Sequence, residues 1–316
     1  MTANLQNPIF TDETKAREWL EARVWPNGPV CPHCGNVDQE KITALAGKAH
    51  RPGLYQCAEC REQFTVTVKT VFERSKIPLS KWLAALFLLT ASKKGVSAHQ
   101  IHRSLAVSYK TAWFMMHRLR EALRSGGLDP LGGEGKIVEA DETYHGNVAI
   151  ENRKTQTTGG RPYIKKGRAA NKRAIVSLVE RGGNVRSFHV AVADGETVAK
   201  IVNENIHHES RLHTDESRLY IKPGANFAKH ETVVHSHKEY ARGDVNTNSV
   251  EGYFSIFKRG MKGVYQHCGE KHLHRYLAEF DFRYNTRTAL GFSDGERAAL
   301  AMKGAEGKRL TYRPTH

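Results

Sequence analysis

Four cysteines stand in two pairs, Cys31-Pro-His-Cys34 and Cys57-Ala-Glu-Cys60. Each pair offers two thiolates from one tight turn, and two such knuckles at this separation suit a tetrahedral four-sulfur zinc site. Gly35 follows the first knuckle, where the turn favours a positive φ. Redox chemistry is the competing use of a C-x-x-C pair; two matched pairs in a basic chain favour structural zinc. His33 lies inside the first knuckle, but four sulfurs fill the shell, and Cys268 is isolated. A second set is acidic. Asp141 and Asp215 fall at the ends of strand-like runs, and Glu251 falls early in a helical one. Carboxylate oxygens are hard ligands of the kind Mg²⁺ prefers, and two such ions about 3.5–4 Å apart can drive in-line displacement at phosphorus. Each acid also has an ordinary reading. Asp141 and Asp215 can be surface acids, with Glu142 and Glu216 as rivals, and strand alternation sets Asp141 and Glu142 on opposite faces. Asn248-x-x-Glu251 resembles a capping box, and Asn248 competes with Glu251 as the third ligand.

The chain around these residues has 316 residues and a formal net charge of +15. At 39% hydrophobic it is too apolar for wholesale disorder, and its length suits two domains. The excess of basic residues asks for an anionic partner, of which nucleic acid is the usual one. The longest strongly apolar run, Trp82 to Leu89, is too short to span a bilayer. The polar amino terminus is neither a signal nor a transit peptide, so a cytoplasmic, nucleoid-associated protein is expected, with no membrane partner.

The elements that must position the two sets can be read in outline. Residues 1–28 form a helix and turn, with Thr11-Asp-Glu-Thr as its start, and 29–75 a zinc ribbon. Residues 76–125 hold three helical patterns, the last two separated by the short joint Leu105 to Ser108. A helix-turn-helix fits this region and puts Ser108, Tyr109, Lys110 and Thr111 against DNA; a plain helical bundle is the alternative. Trp113, Phe114, Met115 and Met116 read as core. The Gly-rich stretch 126–135 is a linker. Residues 136–290 follow as three strands, a helix, a strand at Arg211 to Asp215, a fifth strand at Val233 and Val234, then helices over Asn248 to Met261 and Glu270 to Tyr284. Residues 291–316 form a tail. The order is that of a ribonuclease H-like α/β domain, a mixed sheet with flanking helices, except that no helix is evident between strands four and five. Residues 151–173 are strongly basic, with Lys165, Lys166 and Arg168 among eight cations against Glu151, and would track a DNA backbone. The histidines at 207, 208, 213, 235, 237, 267, 272 and 274 show no metal spacing and read as phosphate contacts or packing.

From Trp25-Pro through Arg283-Tyr-Asn the chain resembles the zinc-ribbon insertion-sequence transposases with an ISXO2-like DDE domain. The likeness is carried by the ribbon, Ala140-Asp-Glu-Thr-Tyr, His213-Thr-Asp and Asn248-Ser-Val-Glu-Gly-Tyr-Phe-Ser-Ile-Phe-Lys-Arg-Gly. It implies a DNA transposase that binds element ends, cleaves DNA and transfers strands. The implied parts are a structural Zn²⁺ on Cys31, Cys34, Cys57 and Cys60, and two Mg²⁺ or Mn²⁺ on Asp141, Asp215 and Glu251. Lys258, two helical turns after Glu251, would hold a phosphate beside them, and Arg259 would also meet DNA. The implied partners are terminal inverted repeats, target DNA and further copies of the chain in a dimer or larger synaptic assembly. A non-catalytic DNA-binding regulator derived from such a protein and a structure-specific nuclease are the rivals.

Overall fold

A computed structural model describes residues 5–124, 129–148 and 171–311, and the backbone of 155–158 and 161–164. The chain forms two compact units, one of residues 126–285 and one that takes in both ends of the chain.

The amino-terminal unit opens with α1 (Glu13–Val24), whose first turn is capped by the Asp12 carboxylate. The ribbon follows as β1 (Ile42–Leu45), β2 (Leu54–Cys57) and β3 (Gln63–Phe64), an antiparallel sheet in that order. Its small core is aromatic: Trp25 meets Tyr55 and Phe64 edge-on at 5.5 and 5.7 Å. Next come α2 (Leu79–Ala91), α3 (Ala98–Leu105) and α4 (Tyr109–Ala122). α2 is buried almost all round, as its unbroken apolar run requires. Its start, after Pro78, has no side-chain cap of its own; the Glu13 carboxylate supplies one, accepting the amides of Leu79 and Ser80 at 2.8 and 3.0 Å. Met115 and Met116 are buried, as their spacing on α4 demands.

The second unit is built on a five-stranded sheet. Its strands are β4 (Ile137–Asn147), β7 (Lys172–Glu180), β8 (Val185–Val190), β9 (Arg211–Thr214) and β10 (Lys229–Thr232). β5 (Thr155–Thr158) and β6 (Arg161–Ile164) form a separate antiparallel pair within the segment expected to be a basic loop; Lys165, Lys166 and Arg168 lie outside the described residues. The sheet order is β10-β9-β4-β7-β8, with β4, β7 and β8 antiparallel and β9 and β10 parallel to β4 and to each other. α5 (Gly195–Asn205) lies between β8 and β9. A 3₁₀ turn, Arg218–Tyr220, runs into the single-turn α6 (Ile221–Gly224) between β9 and β10. This is the helix the sequence did not reveal; it is too short for periodicity and is interrupted by Pro223. The fifth strand is Lys229–Thr232 rather than Val233 and Val234. It is a polar edge strand, and Val233 beyond its end is fully buried. α7 (Asn248–Gly260) and α8 (Leu273–Asn285) complete the unit. Alternation along β4 and β7 divides the core. Val138, Ala140, Val176 and Leu178 pack against α5, while Ile175 and Val179 pack against α7 and α8. Leu131, placed in the expected linker, is buried in the first of these cores.

The last segment corrects the expected tail. Residues after Asn285 belong to the amino-terminal unit, and α9 (Asp294–Lys303), opened by a Ser293–Glu296 capping box, packs on α2. The backbone then bonds back, Val71 N to Ala305 O at 3.0 Å and Gly307 N to Lys69 O at 2.9 Å.

Candidate active site and zinc centre

The four-cysteine cluster is local in origin. In each knuckle the residue after the second cysteine donates its amide to the first cysteine's carbonyl: Gly35 to Cys31 at 2.9 Å and Arg61 to Cys57 at 2.8 Å. Gly35 and Arg61 both take positive φ, +80° and +62°. The two turns bring the sulfurs together, with Cys31 and Cys60 3.6 Å apart and Cys34 and Cys57 3.7 Å apart. A tetrahedron with metal–sulfur bonds near 2.3 Å has edges of about 3.8 Å, so the four thiols fit Zn²⁺. The Cys60 backbone amide is foremost in drawing the Cys57 thiol down to about 6, while desolvation and the neighbouring sulfurs push Cys60 up to about 12, so the crowded thiols do not all ionise without a cation among them.

At the other end of the unit, α3 ends with Ala106 in the left-handed region at φ +48°, and Ser108 starts α4. The two helices are thus joined by a tight turn. Ser108 Oγ caps the helix by accepting the Thr111 amide at 3.2 Å and also meets the Thr111 hydroxyl at 2.8 Å. Tyr109 is exposed and stacked on His99, and Lys110 is exposed. Of the four expected contacts, Ser108, Tyr109 and Lys110 are exposed and Thr111 is half-buried, with Ser108 and Thr111 also shaping the turn.

The acidic site is built where β4 outruns β9. The two strands pair only from Ile137↔Arg211 to Glu139↔His213, whereas β4 continues to Asn147. Asp215 follows the end of β9 and fills the notch. Oxygens of Asp141, Glu142 and Asp215 converge there within 4.8 Å of one another. Glu142 thus does not point away from Asp141, as strict alternation suggested. With no strand on the β9 side of this part of β4, the side chains from its two faces can curl round the open edge. Asp141 Oδ1 also accepts the Glu142 amide at 2.7 Å. Glu216, the rival to Asp215, instead accepts the Ser236 amide at 3.1 Å and braces that loop.

Burial, then the charges of Asp215 and Glu142, drive the Asp141 carboxyl up to about 8; Glu251 adds to the same push. Burial likewise raises Glu142, helped by Asp215, and raises Asp215. Glu142 Oε2 is buried with no donor in strict hydrogen-bond geometry. Clustered, desolvated carboxylates with an unsatisfied oxygen are a donor set that a divalent cation would neutralise.

Glu251 stands in the first turn of α7, exposed and outside the tight cluster. It accepts the Thr247 hydroxyl at 3.1 Å and lies 3.4 Å from His235 Nε2. The capping-box reading fails here, because Thr247 rather than Asn248 is the N-cap residue and makes no side-chain cap bond. The cap comes from β4: Glu139, fully buried, accepts the amides of Ser249 and Val250 at 2.7 and 3.1 Å and is paired with Arg181 at 2.8 Å. α7 then runs along the face of β4 that bears Asp141, and Phe257 meets His145 edge-on at 5.5 Å. Lys258 and Arg259 are exposed on the same helix; Lys258 is close enough for its charge to help lower the histidine at 145, whose shift is mainly due to burial. Asn248 is exposed, its amide held by Asn246 Oδ1 at 3.2 Å. His235 was not singled out by sequence. It lies beside Glu251, and its charge opposes the rise of Asp215.

A four-cysteine ribbon joined to a ribonuclease H-like sheet, with one acid within a strand and another just past the end of the parallel strand beside it, defines a DDE-type zinc-ribbon protein. Residues 130–285 match the model of the ISXO2-like transposase domain, and residues 11–63 match that of the transposase zinc-ribbon domain. The chain has the zinc-ribbon and DDE-type domain architecture of the IS1595 family of transposases. An uncharacterised protein in transposable element ISH50 of Halobacterium salinarum is 28% identical over 279 residues, covering 87% of this chain and 91% of that protein. Among solved structures, the simian T-cell lymphotropic virus intasome in complex with PP2A regulatory subunit B56 gamma overlaps at a TM-score of 0.28 and 11% identity, over 57% of this chain and 63% of that one. The Mos1 transposase paired-end complex with left transposon end gives 0.23 and 13%, over 72% and 80%. Both overlaps are slight. Among the described residues no helix is long and apolar enough to cross a membrane.

Proposed function

We propose that the protein is a transposase that binds the ends of an insertion sequence, cleaves DNA there and joins the freed 3′ ends to target DNA. The observation that carries this reading is the meeting of Asp141 and Asp215 at the β4–β9 notch, with Glu251 on the helix alongside. Asp141, Asp215 and Glu251 would hold two divalent cations, Mg²⁺ or Mn²⁺, which when bound supply positive charge for the attacking and leaving oxygens of phosphodiester exchange. The acids themselves fix where that charge sits, and Asp141 is half-buried in the notch. Lys258, on the face of α7 shared with Glu251, contacts a DNA phosphate, and Arg259 adds a second contact. Tyr109 and Lys110 at the start of α4, with the basic segment around Lys165, Lys166 and Arg168, supply the end-binding surface. Two or more copies of the chain hold the paired ends.

The test is an assay on DNA carrying the element ends with Mg²⁺ and a target plasmid. Joining of donor 3′ ends to the plasmid is the expected product. Hydrolysis alone would make the protein a nuclease on this fold, and specific binding without cleavage would make it a regulator.

A further inference from the structure

Tyr220 is 0% exposed, and its hydroxyl, although outside strict hydrogen-bond geometry, has the Glu142 carboxylate as its hydrogen-bonding neighbour. It sits in the 3₁₀ turn between β9 and β10, with its ring in the core beneath the α5 face of the sheet. There the hydroxyl stands beside Glu142 and within charge range of Asp141 and Asp215. Phenylalanine would fill the same space, so the hydroxyl is there for the polar neighbour it faces. Opposite it, Glu142 Oε2 is buried with no donor in strict hydrogen-bond geometry, while Oε1 accepts the Ser217 hydroxyl at 3.3 Å. A buried donor and a partly buried acid thus meet at one small acidic notch.

We propose that Glu142 is a further ligand of the cation site, with Tyr220 and Ser217 as the positioning residues that hold its carboxylate towards Asp141 and Asp215. The inference rests on the metal-dependent reading above and adds an acid to it. The overshoot of β4 past β9 is what makes it feasible. Consecutive residues of a strand inside a sheet cannot share a ligand sphere, because their side chains leave opposite faces. At an open edge they can, and here their oxygens already do converge with those of Asp215. The arrangement gives the site one ligand from each face of β4. Tyr220 approaches from the α5 side, so it would steady Glu142 without blocking the side on which Asp141 and Glu251 lie.

The test uses the full-length, zinc-loaded protein and two probes. Eu³⁺, which seeks oxygen ligands as Ca²⁺ and Mg²⁺ do, reports coordinated waters through its luminescence lifetimes in H₂O and D₂O. Mn²⁺ binding is followed by electron paramagnetic resonance. Glu142→Gln should admit about one more coordinated water to bound Eu³⁺ and weaken Mn²⁺ binding roughly tenfold or more. Tyr220→Phe, which preserves packing, should weaken Mn²⁺ binding several-fold and leave the water count unchanged. If Asp141→Asn alters hydration and affinity while Glu142→Gln matches the wild type, Glu142 is not a ligand, although the metal site stands. If Asp141→Asn and Asp215→Asn also match the wild type, the metal site itself is misplaced and both readings fall. Should Glu142→Gln not fold, Tyr220→Phe decides: wild-type Mn²⁺ affinity in that variant overturns the proposal.

Discussion

The fully buried carboxylate of Glu139 accepts the backbone amide of Ser249 at 2.7 Å, across 110 residues of sequence. It is this bond, with those to Val250 and Arg181, that fastens the helix bearing Glu251 to the strand bearing Asp141. Glu139→Gln keeps the shape but offers an amide group to donors and leaves Arg181 without its ion pair. Breaking one side of a buried pair costs about 3–5 kcal/mol. Chemical denaturation should show the second unit destabilised on that scale. A variant as stable as the wild type would mean that α7 is held by its apolar face alone.

A second prediction concerns the carboxyl-terminal return. A Cβ on Gly304 would lie 2.1 Å from the backbone oxygen of Ala122, an atom that cannot swing aside. Gly304→Ala should therefore destabilise the amino-terminal unit by about 1–3 kcal/mol. Thermal unfolding followed by tryptophan fluorescence reads this, since Trp19, Trp25, Trp82 and Trp113 all belong to that unit. An unchanged transition would mean that α9 does not dock as described.

Zinc analysis gives a third. The native protein should carry about one Zn²⁺ per chain on four thiolates. Cys57→Ser should lose it and unfold the ribbon while leaving the second unit's transition in place. Zinc retained at full occupancy by that variant would contradict the four-sulfur centre.

The acidic notch makes stability depend on pH and metal together. The carboxyl of Asp141 is raised to about 8 in the fold, against about 3.9 in an unfolded chain. Between those values the folded chain keeps a proton that the unfolded chain has lost, so metal-free stability falls as pH rises and levels off above about 8. A divalent cation competes for the same oxygens, so the stabilisation by Mg²⁺ should grow with pH across this window. Melting curves with and without Mg²⁺ from acid to mildly alkaline pH check the trend, and Asp141→Asn should flatten it. A Mg²⁺ effect independent of pH would remove Asp141 from the metal site.

What could be read from sequence was whatever a short stretch determines alone. The cysteine knuckles need only their own turns, and Asp141 and Asp215 are fixed by the strands that carry or precede them. What was lost depends on partners far along the chain. Alternation misplaced Glu142 because it assumes a neighbour on both sides, and β9 stops at Thr214. β10 was displaced by a few residues because Lys229–Thr232 lies at the sheet edge and carries no apolar signal. His235 follows it in a 3₁₀ turn, where no spacing rule links it to Glu251. The cap from Glu139 has no local signature, so Asn248 and Glu251 looked like a capping box. The return of α9 to the first unit is likewise invisible until α2 presents the face it covers.

The most direct measurement is cleavage and strand transfer on DNA with the element ends, run beside end binding, for Asp141→Asn, Asp215→Asn, Glu251→Gln and Asn248→Ala. The three acid variants should each lose at least about 10³-fold in both reactions, with double variants little worse than singles, because the acids act as one unit. End binding should survive in all of them, and Asn248→Ala should remain active. If Glu251→Gln stays active while Asn248→Ala is dead, the third ligand has been misassigned; if Asp141→Asn and Asp215→Asn still cleave and join DNA, the notch between β4 and β9 is not the catalytic site.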